Sequence, residues 1–74
     1  MKSSELTIDT RVVKDLGANS AIVLAVINNA DGKMTISEVA GAVGITYPTA
    51  HKCLDLLVSE KYIQAVDKST YRKL

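Results

Sequence analysis

The fold of this chain is decided by one stretch, residues 34–66, which reads MTISEVAGAVGITYPTAHKCLDLLVSEKYIQAV. It divides into two predicted helices separated by a tight turn, followed by a predicted strand. The first helix begins at a capping box, because the Thr35 hydroxyl can accept from the Glu38 amide while the Glu38 carboxylate accepts from the Thr35 amide. Gly44 ends this helix, since glycine adopts the left-handed conformation without a Cβ penalty.

The second helix, predicted over residues 47–60 with Thr46 or Tyr47 as its cap, has two different faces. Apolar residues recur at i, i+3, i+4, i+7 and i+8, which predicts a buried stripe. The stripe consists of Ala50, Cys53, Leu54, Leu57 and Val58. The opposite, polar and partly basic face carries Pro48, Thr49, His51, Lys52, Asp55 and Ser59. Two short helices about a glycine-containing turn form a helix-turn-helix pattern.

These residues resemble the winged helix-turn-helix family of small bacterial and viral DNA-binding domains. The resemblance is carried by TISEVAGAVGITYPTAHKCLDLLVSEKYI, residues 35–63. It implies a mainly α fold with a small β-hairpin: three core helices, a C-terminal wing, and a short N-terminal strand and helix. Lys61 departs from the family, which usually has glycine where the chain leaves the second helix. If that position needs a positive φ, lysine costs roughly 1 kcal/mol or slightly more, so the exit is expected to differ.

The N-terminal part supplies the predicted supporting elements. Residues 1–5 are expected to be frayed, and the alternation over residues 5–8 predicts a short edge strand. A helix is predicted over residues 10–16, capped by Asp9 and stopped by Gly17.

The most hydrophobic helix is predicted over residues 21–29, with Asn19 or Ser20 as its cap, and we expect it to lie at the centre of the core. Gly32 is the expected left-handed residue after it, and a brief strand is predicted over residues 33–35. Residues 8–27 also resemble the opening of phage replisome-organiser domains, which tend to read LG-x-N-x-A-I-V-L.

The C-terminal segment predicts a hairpin that would form the wing. Residues 62–66 read as one strand, residues 67–69 as the turn, and residues 70–74 as the return strand. Together with the preceding helices this makes residues 1–74 a single predicted domain.

Composition excludes several classes of protein. A chain of 74 residues has room for one small domain, and it buries only about 60% of its unfolded surface. Its one cysteine cannot form an internal disulfide, which fits a reducing cytoplasm. The apolar run at residues 21–27 is far shorter than the ~20 residues that span a membrane. We therefore expect a soluble cytoplasmic protein with no membrane partner.

The charge is nearly balanced, at +1 overall. Residues 1–50 carry four basic and five acidic side chains, whereas residues 51–74 carry five basic and three acidic ones. The basic excess thus falls on the half that would face DNA. With so few available phosphate contacts, a monomer should bind DNA weakly and with strong salt sensitivity. Useful affinity would need two copies or a protein partner.

Candidate DNA-contacting residues follow from the predicted fold. The N-terminal part of a recognition helix enters the major groove, while a wing can follow the backbone. The candidates are Thr46, Tyr47, Pro48, Thr49, His51, Lys52, Lys68, Arg72 and Lys73. Solvated helix and hairpin surfaces carry similar residues, so the basic wing residues are equally consistent with a protected sheet edge.

Catalytic, metal and small-molecule sites are not expected. His51 and Cys53 lie two residues apart on a helix and point in different directions, so they form neither a chelating pair nor a nucleophilic dyad. Glycine-rich phosphate loops and nucleophile elbows are absent from the sequence. The sequence therefore predicts a protein that is not an enzyme and needs no cofactor.

Two functions remain open. The first is a duplex-DNA-binding transcriptional regulator or replication accessory factor of bacterial or phage type. The second is a winged-helix module that binds another protein and has weak or no affinity for DNA. Near-neutral charge and the apolar Leu56, which lies off the buried stripe, favour the second.

Overall fold

The computed structural model describes residues 10–74, which form four helices and a three-stranded antiparallel sheet. In chain order the elements are α1 (Thr10–Leu16), α2 (Ala18–Asn29), β1 (Met34–Thr35), α3 (Ile36–Val43), α4 (Tyr47–Ser59), β2 (Ile63–Asp67) and β3 (Thr70–Lys73). This is the predicted winged helix-turn-helix architecture. The strand predicted over residues 5–8, the fraying predicted for residues 1–5 and the predicted helix cap Asp9 lie outside the described residues. Within residues 10–74, none of the helices has the length and apolar character needed to cross a bilayer.

The predicted start and end of α3 are both confirmed. The Glu38 amide donates to Thr35 Oγ1 at 3.1 Å, and the Thr35 amide donates to Glu38 Oε1 at 2.8 Å, which completes the capping box. Gly44 follows the helix in the left-handed conformation with φ 84°, and its amide donates to the Ala40 carbonyl at 2.8 Å. This glycine sets the direction in which the chain enters α4.

The predicted start of α2 is wrong, because the helix begins at Ala18 rather than Ala21. Gly17 occupies the N-cap position with φ 97°, a conformation that redirects the chain between α1 and α2 within one residue. The Ala21 amide donates to the Gly17 carbonyl at 3.2 Å, so Asn19 and Ser20 lie inside the first turn and cap nothing. The expected central position of this helix is confirmed, since half of its residues are buried and it packs against α1, α3 and α4.

The predicted role of Gly32 is also wrong. The helix ends at Asn29, and Ala30 leaves it in an extended conformation with φ −82° and ψ 147°. The Ala30 amide donates to the Ile27 carbonyl at 3.2 Å. An extended exit needs no left-handed residue, and Gly32 has no positive φ.

The sheet contains the predicted hairpin and the predicted brief strand before α3, which covers Met34–Thr35 rather than residues 33–35. β3 lies in the middle and pairs with both β1 and β2, with Met34 opposite Tyr71 and Ala65 opposite Tyr71. The two-residue β1 ends at Thr35, which is also the N-cap of α3 in the capping box. The Ile36 amide extends this contact by donating to the Ser69 carbonyl in the wing turn at 3.0 Å.

The strand boundaries differ slightly from those predicted. β2 covers Ile63–Asp67 rather than residues 62–66, because the Tyr62 amide still donates to the Leu57 carbonyl at 2.9 Å. Asp67 pairs opposite Thr70, with an irregularity in the register between Ala65 and Asp67. The return strand ends at Lys73 instead of residue 74.

The core forms where α2, α3 and α4 meet the inner face of the sheet. α4 contributes its predicted apolar stripe, and β2 and β3 contribute one large side chain each. The buried residues of this cluster are Val12, Ala21, Val23, Leu24, Ile27, Ile36, Val39, Ala40, Ala50, Cys53, Leu54, Leu57, Ile63 and Tyr71. Val43 and Val58 pack against it while partly exposed.

The exit from α4 keeps the geometry for which the family uses glycine. α4 ends at Ser59 with Glu60 as its C-cap, and Lys61 then adopts φ 66°. It is the only non-glycine residue with positive φ among residues 10–74. The prediction that this exit differs from that of the family is therefore wrong. Lys61 instead adopts the left-handed conformation, which is strained for a residue with a Cβ atom.

Lys61→Gly should consequently stabilise the protein by roughly 0.5–1 kcal/mol, since relief of the left-handed strain exceeds the added entropy of the unfolded chain. Urea denaturation measures the change. Lys33→Gly, which removes the same charge at a position without positive φ, is the matched control and should not stabilise. Equal effects of the two substitutions would contradict the assignment of strain to Lys61.

Candidate nucleic-acid interface

The N-terminus of α4 is fixed by a threonine pair. Thr46 is the N-cap: its Oγ1 accepts from the Thr49 amide at 3.4 Å and donates to Thr49 Oγ1 at 2.9 Å. Pro48 occupies the first turn, where its missing amide hydrogen costs nothing. Both threonine hydroxyls therefore already serve the helix start, with Thr46 exposed and Thr49 half-buried.

The first two turns of α4 present the exposed part of the predicted recognition surface. Tyr47 is 48% exposed, the His51 side chain is 46% exposed, and Lys52 is exposed. The rings of Tyr47 and His51 lie with their centroids 6.4 Å apart at an interplanar angle of 55°. These side chains offer a hydroxyl, an imidazole and an ammonium group, which together can contact base edges and phosphates.

A carboxylate on the same face links this helix to the wing. Asp55 Oδ2 lies 3.4 Å from His51 Nε2, one helical turn away. The other oxygen, Oδ1, accepts from the Tyr71 hydroxyl of β3 at 3.2 Å. The sequence places His51 and Asp55 on the same polar face of α4 at i, i+4 spacing. The contact between Tyr71 and Asp55 joins residues 16 positions apart, so no pattern of neighbouring residues predicts it.

The environment of Tyr71 raises its pKa above the ordinary value of 10.0. Burial is the main cause, because the side chain is only 3% exposed, and the neighbouring Asp55 carboxylate adds to it. The phenol therefore keeps its proton and remains a donor to Asp55 throughout the neutral range.

The wing turn is closed by Asp67. Its Oδ1 accepts from the Ser69 amide at 3.0 Å, and this bond is the largest cause that holds the pKa of Asp67 below its ordinary value. The Thr70 hydroxyl and the charge of Lys33 act in the same direction. Lys68 is exposed in this turn, while Arg72 and Lys73 are exposed on β3.

Leu56 is 37% exposed and lies on the border of the same surface. It lines an open groove between the polar face of α4 and the α1–α2 junction around Gly17. Lys52 lines that groove too. Leu56 therefore belongs neither to the core nor to the inner face of the wing.

Cys53 is a core residue, as expected from the apolar stripe, with a free thiol and 6% exposure. Its side chain points into the protein while His51 faces solvent. Among residues 10–74, no group of three or more histidine, cysteine, aspartate or glutamate side chains could hold a metal ion.

A family model described as the IclR helix-turn-helix domain matches residues 18–67. The chain belongs to this family. The matched region runs from the first residue of α2 to the last residue of β2, so it contains the capped helix pair and the exposed turn of α4. IclR helix-turn-helix domains are DNA-binding domains of the kind found in transcription regulators. Among the predicted contact residues, Lys68, Arg72 and Lys73 lie beyond the match.

No curated protein and no solved structure matches the chain. The assignment to the IclR helix-turn-helix domain family therefore stands on the family model and on the architecture described above.

The raised pKa of Tyr71 predicts a loss of stability at high pH. The folded protein holds this proton more tightly than the unfolded chain, so the contribution is complete below pH 10.0 and is lost as pH rises through the folded-state pKa. Tyr71→Phe should flatten the fall in the free energy of unfolding as the pH rises above 10.0. Urea denaturation at a series of pH values measures this slope. A wild-type slope in Tyr71→Phe would contradict the effect.

Proposed function

We propose that this chain is a transcription regulator that binds duplex DNA without catalysing a reaction. The observation that carries the proposal is the division of α4. Its apolar side is buried in the core, whereas its N-terminal polar side is exposed beside the wing. In a helix-turn-helix protein this polar side lies in the major groove.

Lys52 and Tyr47 supply the central contacts of α4. Lys52 is exposed and can bond a phosphate or the O6 and N7 of guanine. The exposed Tyr47 hydroxyl can reach a phosphate or a base. Thr46, Pro48 and Thr49 fix the start of the helix at the DNA surface, with the two threonines held by their mutual hydrogen bond.

The wing supplies backbone contacts. Lys68 in the turn and Arg72 and Lys73 on β3 are exposed and positively charged. Arg72 can bond a phosphate with two parallel hydrogen bonds, which makes it the strongest of these contacts. The tight Asp67 turn holds Lys68 in a defined place relative to β3.

The small net charge sets the expected affinity. At +1 overall, one copy can neutralise few phosphates, so a monomer should bind weakly and lose affinity steeply with salt. We propose that two copies, or this chain with a protein partner, occupy adjacent half-sites to reach useful affinity.

Regulation of transcription is favoured over replication because the matched family is one of transcription-type DNA-binding domains. The resemblance of residues 8–27 to phage replisome-organiser domains supplies the only argument for replication. In either process the protein would act on DNA as a single domain in the cytoplasm of its cell, without a cofactor.

Leu56 supports one alternative function. An apolar side chain that is 37% exposed beside a groove suits contact with a protein, and in that case the chain would be an interaction module. Salt separates the two functions: electrostatic DNA binding falls steeply with salt, whereas an apolar contact responds little.

The proposed DNA contacts predict the behaviour of Lys52→Ala combined with Arg72→Ala. Fluorescence anisotropy with a labelled mixed-sequence duplex should show weaker binding by this variant. The slope of log affinity against log salt should become shallower by about 2, since two phosphate contacts are lost.

Lys61→Gly is the matched control, because it removes a positive charge beyond the C-terminal end of α4, outside the proposed interface. It should keep most of the wild-type affinity and slope. Equal losses in the control and in the double variant would contradict the proposed contacts. Absence of wild-type binding even at low salt would contradict DNA binding itself.

A further inference from the structure

The helix α2 begins without the side-chain cap that both α3 and α4 have. Gly17 occupies its N-cap position, no side chain bonds to this end of the helix, and no acidic residue lies in the first turn. The first backbone bond is made by the Ala21 amide, so the amides of Ala18, Asn19 and Ser20 donate to no backbone carbonyl among residues 10–74. These three N–H groups and the positive end of the helix dipole are therefore available to a negatively charged ligand.

The first turn of α2 forms one wall of the open groove that contains Leu56. Residues 16–20 line that wall, and Thr49, Lys52, Cys53 and Leu56 of α4 line the other. In the part of the chain that the structure describes, Lys52 is the only charged residue that lines this groove. The ammonium group and the helix dipole thus act in the same direction, and no carboxylate in either wall opposes them.

The Ser20 side chain indicates independently that this groove accommodates a ligand. Ser20 is only 2% exposed, and its hydroxyl forms no hydrogen bond with any residue from 10 to 74. Within the same residues, no polar side-chain atom is fully buried without a partner. The small exposed part of Ser20 therefore includes the hydroxyl, and the surface that Ser20 lines is this groove. A nearly buried donor without a partner is thus directed at the free amides of its own helix turn.

The donors around the groove suit one class of ligand. Thr49 Oγ1 accepts from the Thr46 hydroxyl at 2.9 Å, so its own hydrogen remains free to donate. Amide and ammonium groups are donors only, and the Ser20 hydroxyl adds one more. A negatively charged group that accepts hydrogen bonds on several oxygens matches this set, and phosphate is such a group.

We propose that the groove between α4 and the first turn of α2 binds a phosphate group through the amides of residues 18–20, the Ser20 hydroxyl and the Lys52 ammonium group. Lys52 and Leu56 also line the exposed polar face of α4, so the groove adjoins the surface assigned to DNA. A backbone phosphate as the occupant rests on the proposed function, whereas a free phosphate ion offers the same chemistry without it. With a duplex bound, α2 is a third contacting element beside α4 and the wing.

Two substitutions at opposite ends of α2 test the proposal. Asn19→Asp places a carboxylate among the free amides, where it occupies the site and repels phosphate, while it stabilises the start of the helix. Asn29→Asp is the matched control, because it makes the same change at another exposed asparagine, the last residue of α2. The two positions lie roughly 15 Å apart along the helix, which exceeds the Debye length of about 8 Å at physiological salt.

Fluorescence anisotropy with a labelled duplex should show that Asn19→Asp lowers affinity roughly 10-fold or more relative to wild type. Asn29→Asp should lower it by no more than about 2-fold. Thermal unfolding monitored by circular dichroism should show a midpoint for Asn19→Asp at or above that of wild type. The loss of binding then cannot result from unfolding.

Titration with inorganic phosphate identifies the source of the bound group. Amide NMR spectra of wild type should show saturable shifts at residues 18–20, with sodium chloride at equal ionic strength as the reference. Asn19→Asp should abolish these shifts, and Ser20→Ala should weaken phosphate binding by roughly 3- to 10-fold. Asn29→Asp should titrate like wild type.

Each combination of results decides the proposal. If only the duplex affinities of the two aspartate variants differ, the occupant is a backbone phosphate. If only inorganic phosphate shifts residues 18–20, the occupant is a free phosphate ion. If duplexes bind both variants equally and inorganic phosphate shifts nothing, the inference is overturned while the proposed function stands. If no duplex binds to wild type, the proposed function is overturned, and the phosphate titration alone supports or overturns the inference.

Discussion

Burial of the apolar stripe of α4 against α2 and α3 is the interaction on which the structure depends. Leu54 and Leu57 are fully buried, and truncation of such a side chain costs about 2–5 kcal/mol. A domain of this length has a total stability of only about 4–11 kcal/mol. The rotation of α4 about its axis is therefore set by its core face. Once the stripe is buried, His51 and Lys52 must face solvent.

The wing contacts α4 through a side-chain hydrogen bond as well as through the chain that connects them. The ring of Tyr71 lies in the core, and its hydroxyl donates to Asp55 on the exposed face of α4. One residue of β3 therefore contacts both the core and the exposed face of α4. β3 also pairs with β1, which leads directly into the capping box of α3. The elements proposed to contact DNA are thus connected to one another by hydrogen bonds of β3.

The sequence predicts best where short-range chemistry decides. The capping box at Thr35, the left-handed Gly44 and the periodicity of α4 depend on residues within a few positions of each other, and all three are confirmed. Gly17 was expected to stop α1, but its second role as N-cap of α2 depends on how the two helices pack. The contact of Tyr71 with Asp55 spans the hairpin, so no local pattern could reveal it.

The most direct test of the account is to map the DNA-contacting surface residue by residue, by recording amide NMR spectra during titration with a short duplex at low salt. If α4 is the recognition helix, the largest shifts should cluster at residues 46–52 and 68–73, while the amides of α1 and of the second half of α2 should change little. Shifts concentrated on α1 and α2, with the N-terminal turns of α4 unchanged, would contradict the assignment of α4 as the recognition helix.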